Sequence, residues 1–180
     1  MTGLNPKIDS ILSIACFVTD SKLNLLEPSG FEAVVHHPQA RLDAMDDWCT
    51  TTHGASGLSR AVVESKTSAE EAASKLLAYV ERLVPEKGKA LLAGNSVHAD
   101  RVFLMEGPWA GVLGYLHYRI LDVSAIKEGV RRWCRDDVLN GFPKDLKKGK
   151  HEAKADILES IEEGRYYMGL FQQMAYRPMT

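Results

Sequence analysis

The sequence predicts an α/β protein, a mixed central sheet flanked by helices, and three observations carry that expectation. Short apolar runs rich in β-favouring residues alternate with longer segments of helical period. The first two runs follow one another with no helix between them, which implies an antiparallel hairpin, while the later ones are separated by helices, which implies parallel pairing. With 180 residues, 45% hydrophobic and 26% charged, the chain has the size and composition of a single globular domain, taken as 1–180.

The elements follow in order. Ile11-Leu12-Ser13-Ile14-Ala15-Cys16-Phe17-Val18-Thr19 reads as a mostly buried strand. A turn at Asp20-Ser21-Lys22 leads to a second strand, Phe31 to His37, which stops at Pro38 because proline has no N–H for a ladder. Met45 to Leu58 reads as lying outside regular structure. From Ser68 to Val84 the period becomes helical, with Ala72, Ala73, Leu76, Leu77, Val80, Leu83 and Val84 on one face and Glu70, Glu71, Lys75 and Glu81 opposite. Ser68 as N-cap and Glu71 three residues on form a capping box, and Pro85 helps end the helix. Ala90 to Gly94 is a short buried strand, Asn95-Ser96 turns the chain, and a helix runs from Val97 towards Met105. Tyr118 to Val123 is another strand, feeding a helix from Ser124 to about Trp133. Gly141 to Lys150, polar and basic with Pro143, is a loop, and the last helix spans about Glu152 to Ala175.

Charge and composition exclude several classes. The 22 basic and 24 acidic side chains leave a net charge of −2, so no global basic field exists to hold long nucleic acid, and any phosphate contact is local. No apolar run is long enough for a bilayer, and Met1 to Ser10 lacks a signal pattern. Three scattered cysteines, Cys16, Cys49 and Cys134, give neither a disulfide framework nor a zinc spacing. The expectation is a soluble intracellular domain.

Four constellations could carry chemistry. In Gly94-Asn95-Ser96-Val97-His98-Ala99-Asp100 a strand ends and a helix begins, so Ser96 and Asp100, four apart, share a helix face near the carboxyl edge of the sheet, where α/β proteins place ligands. A capped helix with a solvated aspartate accounts equally for that stretch. His151 and Asp156 are five apart and converge only if His151 lies on a loop or first turn, which Gly149 permits. A histidine near an aspartate suits a general base beside a metal ligand, or is an ordinary surface pair. Trp48 can stack on a base or plug a core edge. Arg119 and Ser124 flank the last strand and can bind phosphate near a helix N-terminus, or form an ion pair and a cap.

Together, in this order, Met1-Thr2-Gly3-Leu4, Met45-Asp46-Asp47-Trp48, His53 with Ala55-Ser56-Gly57-Leu58, Gly94-Asn95-Ser96 with Asp100-Arg101, His117-Tyr118-Arg119, Leu121-Asp122-Val123-Ser124 and His151 with Asp156-Ile157 resemble the histidine-type DEDD exonucleases of short RNA. The likeness runs from Met1 to about Phe171. It implies a ribonuclease H-like fold, a homodimer without membrane attachment, and removal of nucleotides from the 3′ end of very short RNAs, ending with dinucleotides. It implies Asp100 and Asp156 as metal ligands, His151 as general base, and two ions, magnesium or manganese, about 3.5–4 Å apart. Leu4 and Trp48 would bracket the bases, with His53 also on the substrate. Ser96, Arg119 and Ser124 would cap the 5′ end, Arg119 reaching across the dimer. Enzymes of this kind work in cytoplasm and mitochondria.

The chain departs from that pattern in three places. The family's first aspartate and glutamate, one residue apart, stand directly before its Met-Thr-Gly-Leu stretch, which here begins at Met1. The expectation is therefore a chain that starts late, lacking the central strand that carries those two carboxylates and, with it, tight binding of two ions. Ala155 precedes Asp156 where the family pairs two aspartates, and Ala125 follows Ser124 where it has threonine. A catalytically silent dimeric module that binds dinucleotides or a partner is the alternative of a different class.

Overall fold

The structure, a computed structural model, describes residues 1–135, 138 and 153–175. The loop expected over Gly141 to Lys150, and His151 with it, lies outside the described residues. The first strands, β1 (Ser13–Cys16) and β2 (Phe31–Val34), pair antiparallel, with Ser13 opposite Val34 and Cys16 opposite Phe31. They are shorter than the apolar runs that contain them, and the connection is not a short turn but residues 17–30. Asp20 does fold its turn, accepting from the amides of Lys22 at 2.8 Å and Asn24 at 2.9 Å, after which a bridge between Thr19 and Leu25 extends the excursion. At Gly30 the backbone is left-handed (φ 64°), and a Cβ there would fall 2.6 Å from the Phe17 ring, so only glycine closes this connection.

Short helices α1 (Gln39–Asp43), α2 (Asp47–Ala55) and α3 (Leu58–Glu64) come next. Residues 45–58 are thus not irregular, as the sequence suggests: Asp46 caps α2 by accepting from the Cys49 amide at 2.7 Å. The pattern hides α2 because its only buried residue is Cys49. Helix α4 (Ala69–Leu83) behaves as its sequence directs. Ser68 accepts from the Glu71 amide at 3.1 Å, although the Glu71 carboxylate turns to Lys75 at 2.6 Å instead of closing a capping box. Ala72, Ala73, Leu76, Tyr79 and Val80 of α4 are buried in the main core with Ile11, Val18, Val35, Phe103, Leu104, Trp109 and Val112.

The second strand pair is β3 (Leu92–Gly94) and β4 (Ile120–Asp122), parallel, with Leu92 opposite Ile120 and Gly94 opposite Asp122. Helix α5 (Val97–Leu104) leaves β3, and a 3-10 turn at Gly107–Trp109 followed by α6 (Ala110–Tyr115) returns the chain to β4. Helix α7 (Val123–Trp133) leaves β4 directly, and the long α8 (Ala153–Ala175) packs against β1, β3 and α7. The α/β class stands, with both kinds of pairing present. Among the described residues the strands form two two-stranded sheets, β1–β2 and β3–β4, and α8 touches both. Among the described residues no helix is long and apolar enough to cross a membrane.

Candidate active site

Of the polar residues singled out in the sequence, Ser96, Asp100 and Ser124 gather at the carboxyl end of the parallel pair. Gly94 and Asp122 end their strands side by side, so the segments that follow must diverge from one edge. Asp122 is the N-cap of α7, accepting from the amides of Ser124 at 3.0 Å and Ala125 at 3.3 Å. The same oxygen accepts from the Ser96 amide at 3.0 Å, and the Ser96 amide also reaches Ser124 Oγ at 3.0 Å. Ser96 Oγ and Ser124 Oγ stand 3.3 Å apart. Ser96 is therefore not a side-chain cap of α5: its backbone is left-handed (φ 51°, ψ 33°), which turns its hydroxyl towards Ser124.

His98 Nδ1 lies 3.0 Å from the second Asp122 oxygen. Desolvation pushes Asp122 up, but the His98 hydrogen bond and the amides of Ala125, Ser96 and Ser124 outweigh it and hold the carboxyl below its usual range. Asp100 follows on the first turn of α5 and shifts the other way. Desolvation raises it, partly opposed by its own backbone amide, the Met1 amino group and His98, while Asp122 adds to the rise.

On the other side of the edge, the Met1 to Ser10 segment folds around Asp9. Thr2 Oγ1 donates to Asp9 Oδ1 at 2.8 Å, and the Asn5 amide donates to Asp9 Oδ2 at 2.9 Å. A Cβ on Gly3 would lie 2.5 Å from that carboxylate, so the glycine allows the approach. His53 Nε2 holds this segment to α2 through the Met1 carbonyl oxygen at 2.9 Å. Leu4 and Trp48 are left 84% and 64% exposed, so Trp48 does not plug the core. Arg119 lies at the opposite end of β4 from Ser124, its guanidinium 5.1 Å over the Tyr118 ring and its amide donating to His117 Nδ1 at 3.0 Å.

Asp156 sits exposed in the first turn of α8. Among the described residues no group of three or more His, Cys, Asp or Glu could hold a metal ion. The described donors alone therefore do not make up a two-ion centre.

Sequence reasoning missed two participants. Asp122 carries a usable signal, an acidic residue at a strand end directly before a helix, where an N-cap is needed. Glu163 carries none: it stands in the run Glu162-Glu163 and reads as part of a solvated face, yet it is 2% exposed. Its described partners are Asn95 Nδ2 at 3.1 Å, Lys127 Nζ at 3.1 Å and Tyr167 OH at 3.3 Å.

Comparison with known proteins gives the family of the chain. The exonuclease family model of the RNase T type matches residues 1–163. The oligoribonuclease of Chromobacterium violaceum is 49% identical over 168 residues, 93% of this chain and 88% of its own. That of Vibrio parahaemolyticus is 47% identical over 167 residues, with the same shares, 93% and 88%. A probable oligoribonuclease of Schizosaccharomyces pombe is 43% identical over 168 residues, 93% of this chain and 64% of its own. The fold and the matched length define a nuclease of the hydrolase class. The chain belongs to the exonuclease family and, within it, to the oligoribonucleases.

Proposed function

We propose that the chain serves 3′-to-5′ degradation of short RNA, with dinucleotides as its smallest substrates. One observation supports this reading at the residues: the Ser96 and Ser124 hydroxyls stand 3.3 Å apart at the carboxyl edge of β3–β4, a pair of donors suited to a terminal phosphate. A site that holds the 5′ end admits only short chains, which agrees with a net charge of −2. Leu4 and Trp48 offer exposed apolar surface on which bases stack, His53 holds the segment that carries Leu4 against α2, and Arg119 contacts the 5′ end.

The ions of the reading are magnesium or manganese, hard cations that suit carboxylate oxygens, with Asp100 and Asp156 as ligands and His151 as base. These assignments rest on the resemblance. The assembly of the reading is a homodimer, in which Arg119 serves the partner's cleft. Exposed Tyr118 and Leu121 beside Arg119 support a contact there, and sedimentation of Tyr118→Glu tests it: a monomer is expected, and an unchanged dimer contradicts it. Cytoplasm or mitochondria is the compartment, by the same resemblance.

The experiment is a time course on a 5′-labelled five-nucleotide RNA in magnesium or manganese. Products shortened one nucleotide at a time from the 3′ end support the reading. Internal cuts, or label released first as a mononucleotide, contradict it.

A further inference from the structure

Glu163 is the one charged side chain in the core among the described residues, 2% exposed on α8. A buried carboxylate persists only where donors satisfy it, and here they converge from three places. Lys127 comes from α7, Tyr167 from the next turn of α8, and Asn95 from the turn between β3 and α5. We infer that Glu163 is a positioning residue for that turn, holding through Asn95 the backbone that sets Ser96 against Ser124.

Ser96 explains why the turn needs holding. A serine with φ 51° and ψ 33° keeps that conformation only where its surroundings impose it. From the β4 side, Asp122 and Ser124 grip the Ser96 amide, both at 3.0 Å. Those bonds hold the peptide between Asn95 and Ser96 from one side only. Asn95 precedes it, and its side-chain amide donates to Glu163 Oε2 at 3.1 Å, so α8 braces the turn from the opposite side. Docking of α8 is thereby tied to the geometry of the serine pair. The functional part of this inference rests on the reading that the serine pair meets the 5′ end of the substrate.

Two substitutions separate bracing from simple helix docking. Asn95→Ala removes the brace and leaves Glu163 with Lys127 and Tyr167, so α8 stays docked. Glu163→Gln keeps an acceptor for Asn95. In the full chain, hydrogen exchange at the Ser96 amide and affinity for 5′-phosphorylated diuridine are measured. Asn95→Ala is expected to speed Ser96 exchange and weaken diuridine binding about tenfold, the worth of a hydrogen bond to a charged group, while α4 amides keep their protection. Glu163→Gln keeps most of both, and Asn95→Ala combined with Glu163→Gln is no worse than Asn95→Ala alone. Unchanged Ser96 exchange in Asn95→Ala, or losses that add in the double variant, overturns the inference. Ser96→Ala with Ser124→Ala tests the underlying reading separately. Diuridine affinity equal to the parent's removes the serine pair from the substrate, while Ser96 exchange in Asn95→Ala still decides the role of Glu163.

Discussion

The two strand pairs are alike in size and opposite in construction. The hairpin β1–β2 lies against α4 and an apolar core in which Leu76, Val35 and Phe103 are buried. The parallel pair β3–β4 ends in an edge crowded with Asp122, His98, Ser96 and Ser124, where one serine is held left-handed and one carboxylate serves several donors. One pair owes its place to apolar burial, and the other keeps strained backbone in order through polar contacts. The lesson is a separation of labour: changes at the hairpin alter unfolding, and changes at the parallel edge alter binding.

The largest expected effect concerns catalysis at the polar edge. In a time course on a five-nucleotide RNA, Asp100→Asn, Asp156→Asn and His151→Ala each lower cleavage by orders of magnitude, since the reading puts the reaction on these three groups. Cleavage in Asp100→Asn equal to the parent's contradicts this.

The next effect belongs to the hairpin side. Leu76→Ala removes a side chain from the main core and costs about 2–5 kcal/mol of stability in urea unfolding. Dinucleotide affinity, measured where the variant is folded, stays at the parent's value; a parallel loss of affinity would break the separation. The converse is Trp48→Ala, which weakens dinucleotide binding by about 1–3 kcal/mol, the worth of base stacking. Because Trp48 is 64% exposed, the urea midpoint does not move.

The smallest effect is one of pH. The folded pKa of Asp122 lies below its unfolded value of about 3.9, so its stabilising contribution is complete above that value and is lost as pH falls through the folded pKa. The stability gap between the parent and Asp122→Asn is therefore constant from neutral pH down to about pH 5 and narrows below pH 4. A gap that widens in acid would mean that the His98 and amide contacts do not stabilise the carboxylate.

The same division decides what the sequence made legible. Helix α4 was legible with its N-cap because period, capping serine and terminal proline are all local. Helix α2 was not, since Thr50-Thr51-Thr52 and a single buried cysteine leave no apolar face to read. The partition into two sheets depends on pairing between distant segments, which no local pattern encodes. At the site, the segments Gly94-Asn95-Ser96 and Leu121-Asp122-Val123-Ser124 were visible, but the local rule cast Ser96 as a cap. Its actual conformation is set by residues 26 and 28 positions away, Asp122 and Ser124. Glu163 was invisible for the same reason: a second glutamate in a helix becomes a core residue only once α7 and the Asn95 turn close over it.

The most direct test of where the chain meets its substrate is a titration of the full chain with 5′-phosphorylated diuridine, followed by amide and indole NMR shifts. The account predicts shifts at the Ser96 and Ser124 amides and at the Trp48 indole, with β1, β2 and α4 silent. Shifts confined to the hairpin and α4, or none at the serine pair, would contradict it.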